Sequence, residues 1–200
     1  MKTTLTLTGL VAVLALVLAA SPAMAQDKAK KGARAGVGMS IGSGIGGINA
    51  IHIPVLINPQ FRVEPTLSFN RTSLGDNNGG SVTNTVTKAA LGVFYNWKPA
   101  KTAKTNVYVG PRLGIVMDGS KVTPSMGDST ESDRQDFVGG LAFGGEYFFA
   151  KTFSIGGEVQ LNYTETGDTE TTAGGNTTTT SADSAGTDTN TIMTVRWYFL

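Results

Sequence analysis

A two-residue alternation of apolar and polar side chains, repeated segment after segment, restricts this chain more than any other feature. In "TFSIGGEVQLNY" (152–163), Phe153, Ile155, Gly157, Val159, Leu161 and Tyr163 share one face. Ser154, Gly156, Glu158, Gln160 and Asn162 share the other. Successive side chains of a β-strand point to opposite sides, so the pattern predicts strands with one apolar and one polar face.

The split recurs along the chain. Val107, Val109, Leu113, Ile115 and Met117 oppose Asn106, Tyr108, Gly110, Arg112 and Gly114. Phe61, Val63, Leu67 and Phe69 oppose Arg62, Glu64, Thr66, Ser68 and Asn70. Ala89, Leu91, Val93, Tyr95 and Trp97 oppose Lys88, Ala90, Gly92 and Asn96, with Phe94 a misfit on the polar side. Phe137, Leu141, Phe143, Tyr147 and Phe149 oppose Gly140, Ala142, Gly144 and Glu146. Weaker versions at 33–42 and 51–57, with the closing "TVRWYFL" (194–200), bring the reading to about eight strands.

The connections alternate in length. "NPQ" (58–60), "KPAKTAK" (98–104) and "AKT" (150–152) are short, whereas 74–81, 118–135 and 165–190 are long and polar. Short turns at one end and long loops at the other, on strands of roughly ten residues, describe an all-β, eight-stranded, antiparallel, up-and-down transmembrane barrel of the outer-membrane type. The short turns are periplasmic, the long loops extracellular, and an even strand count leaves both chain ends on the periplasmic side.

A soluble eight-stranded barrel with an apolar inside has the same alternation, so the direction of the faces needs its own argument. Phe61, Tyr95, Trp97, Tyr147, Phe149, Phe153, Trp197 and Phe199 gather on the apolar face near the short-turn end. That is a membrane-interface girdle, where amphipathic rings lie at headgroup depth. The polar face interleaves charges with many of the 26 glycines, which suits a narrow interior. Reversing the faces puts Arg62, Arg112 and Arg196 against hydrocarbon at about 2–4 kcal/mol each near the midplane. The apolar face therefore meets lipid.

These residues resemble a known family. "FRVEPTLSF", "YVGPRLGIV" and "GGLAFGGEYFFAKTFSIGGEVQLNY" are similar to the small outer-membrane β-barrel proteins of Gram-negative bacteria, the OmpA/OmpX-like, porin-family type. The resemblance covers roughly residues 33–200. It implies outer-membrane lipids as surroundings, and the barrel assembly machinery and periplasmic chaperones as partners during biogenesis. Family members end on an aromatic residue that the assembly machinery reads, with apolar residues at every second position before it. This chain departs by ending on Leu200, and counting back from Phe199 through Trp197, Val195 and Met193 restores the pattern. Pro65 and Pro111 lie inside strands, as Pro54 does in a shorter one, and a bulge or local widening is expected at Pro65 and Pro111 because proline donates no ladder hydrogen bond.

Sites of chemistry are few. Glu64, Glu146 and Glu158 read better as an interior network with Arg62, Lys88, Arg112 and Arg196 than as paired acid and base, because unpaired buried charge is costly. Such a network plugs the lumen. His52 is the only histidine and there is no cysteine, so no His-cluster or thiolate metal site is expected. His52 takes the inward parity, and no H-x-S arrangement of a lipid-modifying barrel enzyme is present. "GSGIGG" (42–47) matches a dinucleotide-binding fingerprint in letters but precedes a strand, so it reads as a glycine-rich hairpin loop. The Thr-, Gly- and Ser-rich stretch 165–190, with Glu165, Asp168, Glu170, Asp183 and Asp188 and no basic residue, reads as a solvated, mobile loop, with a host ligand or weakly held divalent ions as the alternative. Lysines collect on the short-turn side at Lys98, Lys101, Lys104 and Lys151, with Lys28, Lys30 and Lys31 in the N-terminal lead.

The N-terminus has its own logic. Lys2, the apolar run 10–20 and Ala23 and Ala25 in an A-x-A pattern before Gln26 form a secretory signal peptide (1–25), followed by a short basic lead (26–32) and the barrel (33–200). Taking Lys2 from the 16 basic residues leaves 15 against 15 acidic ones. That neutral balance argues against nucleic acid as a partner. The expectation is a monomeric, non-enzymatic scaffold displaying surface loops, without cofactor; a small passive channel is the alternative and a lipid-modifying enzyme the third reading.

Overall fold

A computed structural model describes residues 34–42, 50–75, 79–98, 104–182 and 184–199. The expected signal peptide, the basic lead, most of "GSGIGG", Lys101, Asp183 and Leu200 lie outside these residues. The described chain is antiparallel sheet throughout: β1 (Arg34–Gly42), β2 (Ala50–His52), β3 (Val55–Leu56), β4 (Phe61–Gly75), β5 (Ser81–Trp97), β6 (Thr105–Thr123), β7 (Thr130–Ala150), β8 (Phe153–Thr166), β9 (Thr169–Ala173), β10 (Asn176–Thr180) and β11 (Ser184–Phe199).

β2 and β3 are two halves of one wall strand, so the wall has eight staves. Each stave pairs with its sequence neighbours, and β11 returns to β1 from Ala35–Phe199 to Gly42–Ile192, closing the barrel. Closure removes every edge inside the wall, which is why a membrane accepts this sheet. Along β11 and its counterparts burial alternates residue by residue, with Ile192, Thr194, Arg196 and Tyr198 inside and Met193, Val195, Trp197 and Phe199 outside. Phe94, the misfit of its segment, is fully buried in the lumen.

The prolines bring no bulge, and Pro111 interrupts the pairing instead. No register change accompanies Pro65 or Pro111. Pro65 stays opposite Leu91 in the β4–β5 ladder, and its carbonyl accepts Ile53 N at 2.9 Å. Its missing donor falls at Ile53–Pro54, where the stave is already split into β2 and β3, so two donor-poor positions share one gap. At Pro111 the β5–β6 ladder lapses between Gly92–Arg112 and Tyr95–Val109 and resumes in the same register. The register shift that does occur lies between Phe148 and Ala150 of β7, against β8.

The long connections also differ. Much of 118–135 is sheet, because β6 and β7 remain paired up to Val122–Thr130. The stretch 165–190, expected as a mobile loop, forms the β9–β10 hairpin, and β9 docks on β7 from Thr130–Ala173 to Arg134–Thr169. Threonine explains the outcome: it is β-branched and favours strands, and its hydroxyls pair across them. Thr172 and Thr177 hydroxyls meet at 2.9 Å, and Ser132 and Thr171 at 3.1 Å. Gly174 (φ 55°) and Gly175 (φ 81°) supply the two left-handed positions that a two-residue hairpin turn requires.

Candidate functional site: the charged lumen

Inward parity delivers one residue in two from every stave to the same narrow space. Arg62, Glu64, Arg112, Glu146, Glu158 and Arg196 meet there, each at most 2% exposed. Glu64 is the hub: its Oε1 accepts from Arg112 Nη2 at 3.1 Å and Arg196 Nη2 at 3.1 Å, and Arg62 Nε lies 3.4 Å from Oε2. Glu146 pairs with Arg62 and, at 2.9 Å, with Arg196 Nη1. Glu158 accepts Arg112 Nη2 at 3.0 Å and Gln160 Nε2 at 2.6 Å. Three guanidiniums and three carboxylates thus form one connected cluster, in which each charge has an opposite charge beside it.

Lys88 stays outside that cluster. It shares the inward parity, opposite Ser68 and Val116, but it pairs with no carboxylate among the described residues. Parity settles which way a side chain points and leaves its height along the axis open; Lys88 sits on the long-hairpin side, above the reach of the glutamates.

Sequence reasoning overlooked the aromatic and polar groups that pack the cluster. Phe94 and Tyr108 meet edge to face at 5.2 Å. Arg62 lies over Phe94 at 4.9 Å and over Tyr108 at 4.1 Å, while Arg112 lies over Phe94 at 5.1 Å. Guanidinium planes stack well on rings, so the aromatics occupy space and also face positive charge. Gly92 and Gly144 make room: a Cβ on either would run into the Phe94 or Tyr108 ring. Tyr198 donates its hydroxyl to Glu146 Oε2 at 2.9 Å, and its ring lies 5.7 Å from Phe148. The signal that could have found these residues was available: Phe94, Tyr108, Phe148 and Tyr198 break the apolar-outside rule, and a large ring on the polar parity must fill the lumen.

His52 joins the same network. One ring nitrogen, Nε2, lies 2.7 Å from Ser40 Oγ; the other, Nδ1, lies 3.2 Å from Glu64 Oε1 and 3.1 Å from Thr66 Oγ1. The order Ser–His–Glu matches a hydrolytic relay on paper. Two features separate it from one: Ser40 is 1% exposed, and the carboxylate that would orient His52 is shared with three arginines. Among the described residues no group of three or more His, Cys, Asp or Glu is placed to hold a metal ion.

Outside, Phe61, Tyr95, Trp97, Tyr147, Phe149, Trp197 and Phe199 project from the wall with 44–59% of their surface exposed, and Phe153 is half-buried among them. Phe61 and Tyr95 form one pair at 5.5 Å, and a separate row runs from Tyr147 to Phe149 at 4.9 Å, Phe149 to Phe153 at 6.1 Å and Phe153 to Trp197 at 5.8 Å. Phe69, Phe137 and Tyr163 are outward aromatics toward the other end.

A closed antiparallel wall with an apolar outside and a charged inside defines a transmembrane β-barrel. The family model of the outer membrane protein beta-barrel domain matches residues 11–190, and the chain belongs to that family: it is an integral outer-membrane barrel. Among solved structures, a major outer membrane protein from Thermus thermophilus aligns with a TM-score of 0.58 at 15% identity, covering 84% of this chain and 100% of that one. Ail, the attachment invasion locus protein of Yersinia pestis, aligns at 0.46 and 12% identity over 84% and 98%. CarO of Acinetobacter baumannii aligns at 0.44 and 13% identity over 82% and 97%. At these identities the likeness concerns fold. No curated protein sequence matches the chain.

Proposed function

We propose that this protein is a non-enzymatic outer-membrane scaffold, which holds a ridge of extracellular sheet above the lipid and keeps its own lumen closed to ions. One observation carries the reading: the buried Arg62–Arg112–Arg196 and Glu64–Glu146–Glu158 cluster, stacked on Phe94 and Tyr108, spans the lumen. An eight-stranded barrel is just wide enough for side chains to fill, and ions do not cross a cross-linked charge cluster without breaking it. The displayed element is β4 to β7 with the β9–β10 hairpin, suited to envelope integrity or surface contact. The signal peptide is removed near Ala25/Gln26, the barrel assembly machinery and periplasmic chaperones handle the chain on its way, and the mature barrel works as a monomer in outer-membrane lipid.

Purified barrel in planar bilayers is expected to give no reproducible single-channel steps. Steady unitary conductance would replace this reading with that of a small passive channel. Unchanged lipid A in cells overproducing the protein is the matching expectation against a lipid-modifying enzyme.

A further inference from the structure

The short-turn rim carries a charge pattern that neither closure nor the lumen requires. Its cations are Arg34 at the start of β1, Lys98 after β5, Lys104 before β6 and Lys151 in the β7–β8 turn. Among the described residues, the three short turns contain no carboxylate. The lysines are exposed, and they follow one another around the wall. Arg34 Nη1 reaches Lys151 O at 3.5 Å, Phe148 N donates to Lys104 O at 2.7 Å, and Lys98 directly follows the neighbouring strand β5. The other short turn, Ile57–Gln60, is uncharged, so the cations form an arc rather than a ring.

That arc lies beside the aromatic one. Tyr147, Phe149, Phe153 and Trp197 form a continuous row of ring contacts on the staves that flank Lys151, and Trp97 immediately precedes Lys98. The combination of rings at headgroup depth and cations just beyond them matches one molecule: acyl chain against the apolar wall, glycerol level with the rings, phosphate at the ammonium groups. Lysine is a compact, flexible point charge, suited to a phosphodiester that moves laterally rather than to a fixed bidentate partner. The long-hairpin end has the opposite character, with Asp118, Glu131, Asp133, Asp136, Asp168 and Glu170 among its carboxylates.

We propose that this rim is a binding surface for anionic phospholipid headgroups of the periplasmic leaflet. The surface selects its lipid neighbours and fixes the depth and tilt of the barrel. The proposal does not depend on whether the lumen conducts.

Trp97 and Trp197 are the chain's two tryptophans, and both stand in the aromatic arc, so their fluorescence reports on the rim alone. The full barrel, reconstituted in phosphatidylcholine vesicles, would be titrated with brominated phosphatidylglycerol and, separately, brominated phosphatidylcholine. Phosphatidylglycerol is expected to quench with a relative association constant about threefold or more above phosphatidylcholine, a preference that falls with added salt. The triple variant Lys98→Gln, Lys104→Gln, Lys151→Gln changes only exposed side chains, and heat-dependent mobility in SDS checks that it still folds. The preference is expected to vanish in that variant. Equal quenching by the two lipids, or a preference unchanged by the triple variant, overturns the proposal. A response to soluble anionic cell-wall glycan without one to phosphatidylglycerol overturns it as well, in favour of a wall partner.

Discussion

At the scale of single residues, the lumen concentrates consequence in a few side chains. Glu64 faces Arg62, Arg112, Arg196 and His52, so Glu64→Gln leaves three buried guanidiniums short of a counter-charge. Breaking a buried pair in this way is expected to cost about 3–5 kcal/mol, measured by urea unfolding in lipid vesicles. Lys88→Gln, on the same parity but without an ion pair among the described residues, is expected to change stability by no more than about 0.5 kcal/mol. Gly92→Ala forces a methyl into the Phe94 ring and is expected to cost about 1–3 kcal/mol by the same assay. The face of each residue was legible in the sequence, since period two assigns it. Partners were not: which arginine meets which glutamate depends on stagger between staves that are distant in sequence, as Arg196 and Glu64 are. His52 was legible only as inward, and its bonds to Ser40 and Glu64 needed the neighbouring staves in register.

At the scale of elements, the wall strands answer to lipid on one side and to the lumen on the other. Leu141 lies on the outward face of β7, 60% exposed, between Pro111 and Leu161. Leu141→Arg is expected to destabilise the barrel by about 2–4 kcal/mol if folded into bilayers, and by much less in the Thr-rich hairpin, where a Thr178→Arg change meets water. Hydrophobic alternation marked the wall strands because lipid enforces it. It could not mark β9 and β10, where both faces are wet and "TETTA" and "NTTTT" show no apolar period. There the physical signal was propensity, threonine against a composition otherwise typical of loops, together with the adjacent glycines at 174–175. Replacing 169–180 by a short Gly-Ser link is expected to leave the barrel folded, because β9 pairs with β7 at its projecting end, Thr130–Arg134.

For the molecule as a whole, eight staves, closure between the first and last strands, and an apolar exterior follow from counting alternating segments and turns. The exceptions come from chemistry that counting ignores. Proline removes a donor but not a register, so the expected bulges gave way to a split stave and a lapse in one ladder. A barrel closed by so many backbone hydrogen bonds resists detergent, and unheated protein is expected to migrate differently from boiled protein in SDS. Identical migration would contradict the closed wall.

The wall is also uneven. Among the described residues β6 and β7 run together without a break from Thr105–Tyr147 to Val122–Thr130, whereas β1 holds β2 and β3 in two fragments. Under mechanical tension a sheet tears where its stitching is interrupted. Pulled by a single-molecule tether, this barrel would part at β1 and its neighbours while the tall side stayed whole, and the first interior groups to meet water would be Ser40 and His52.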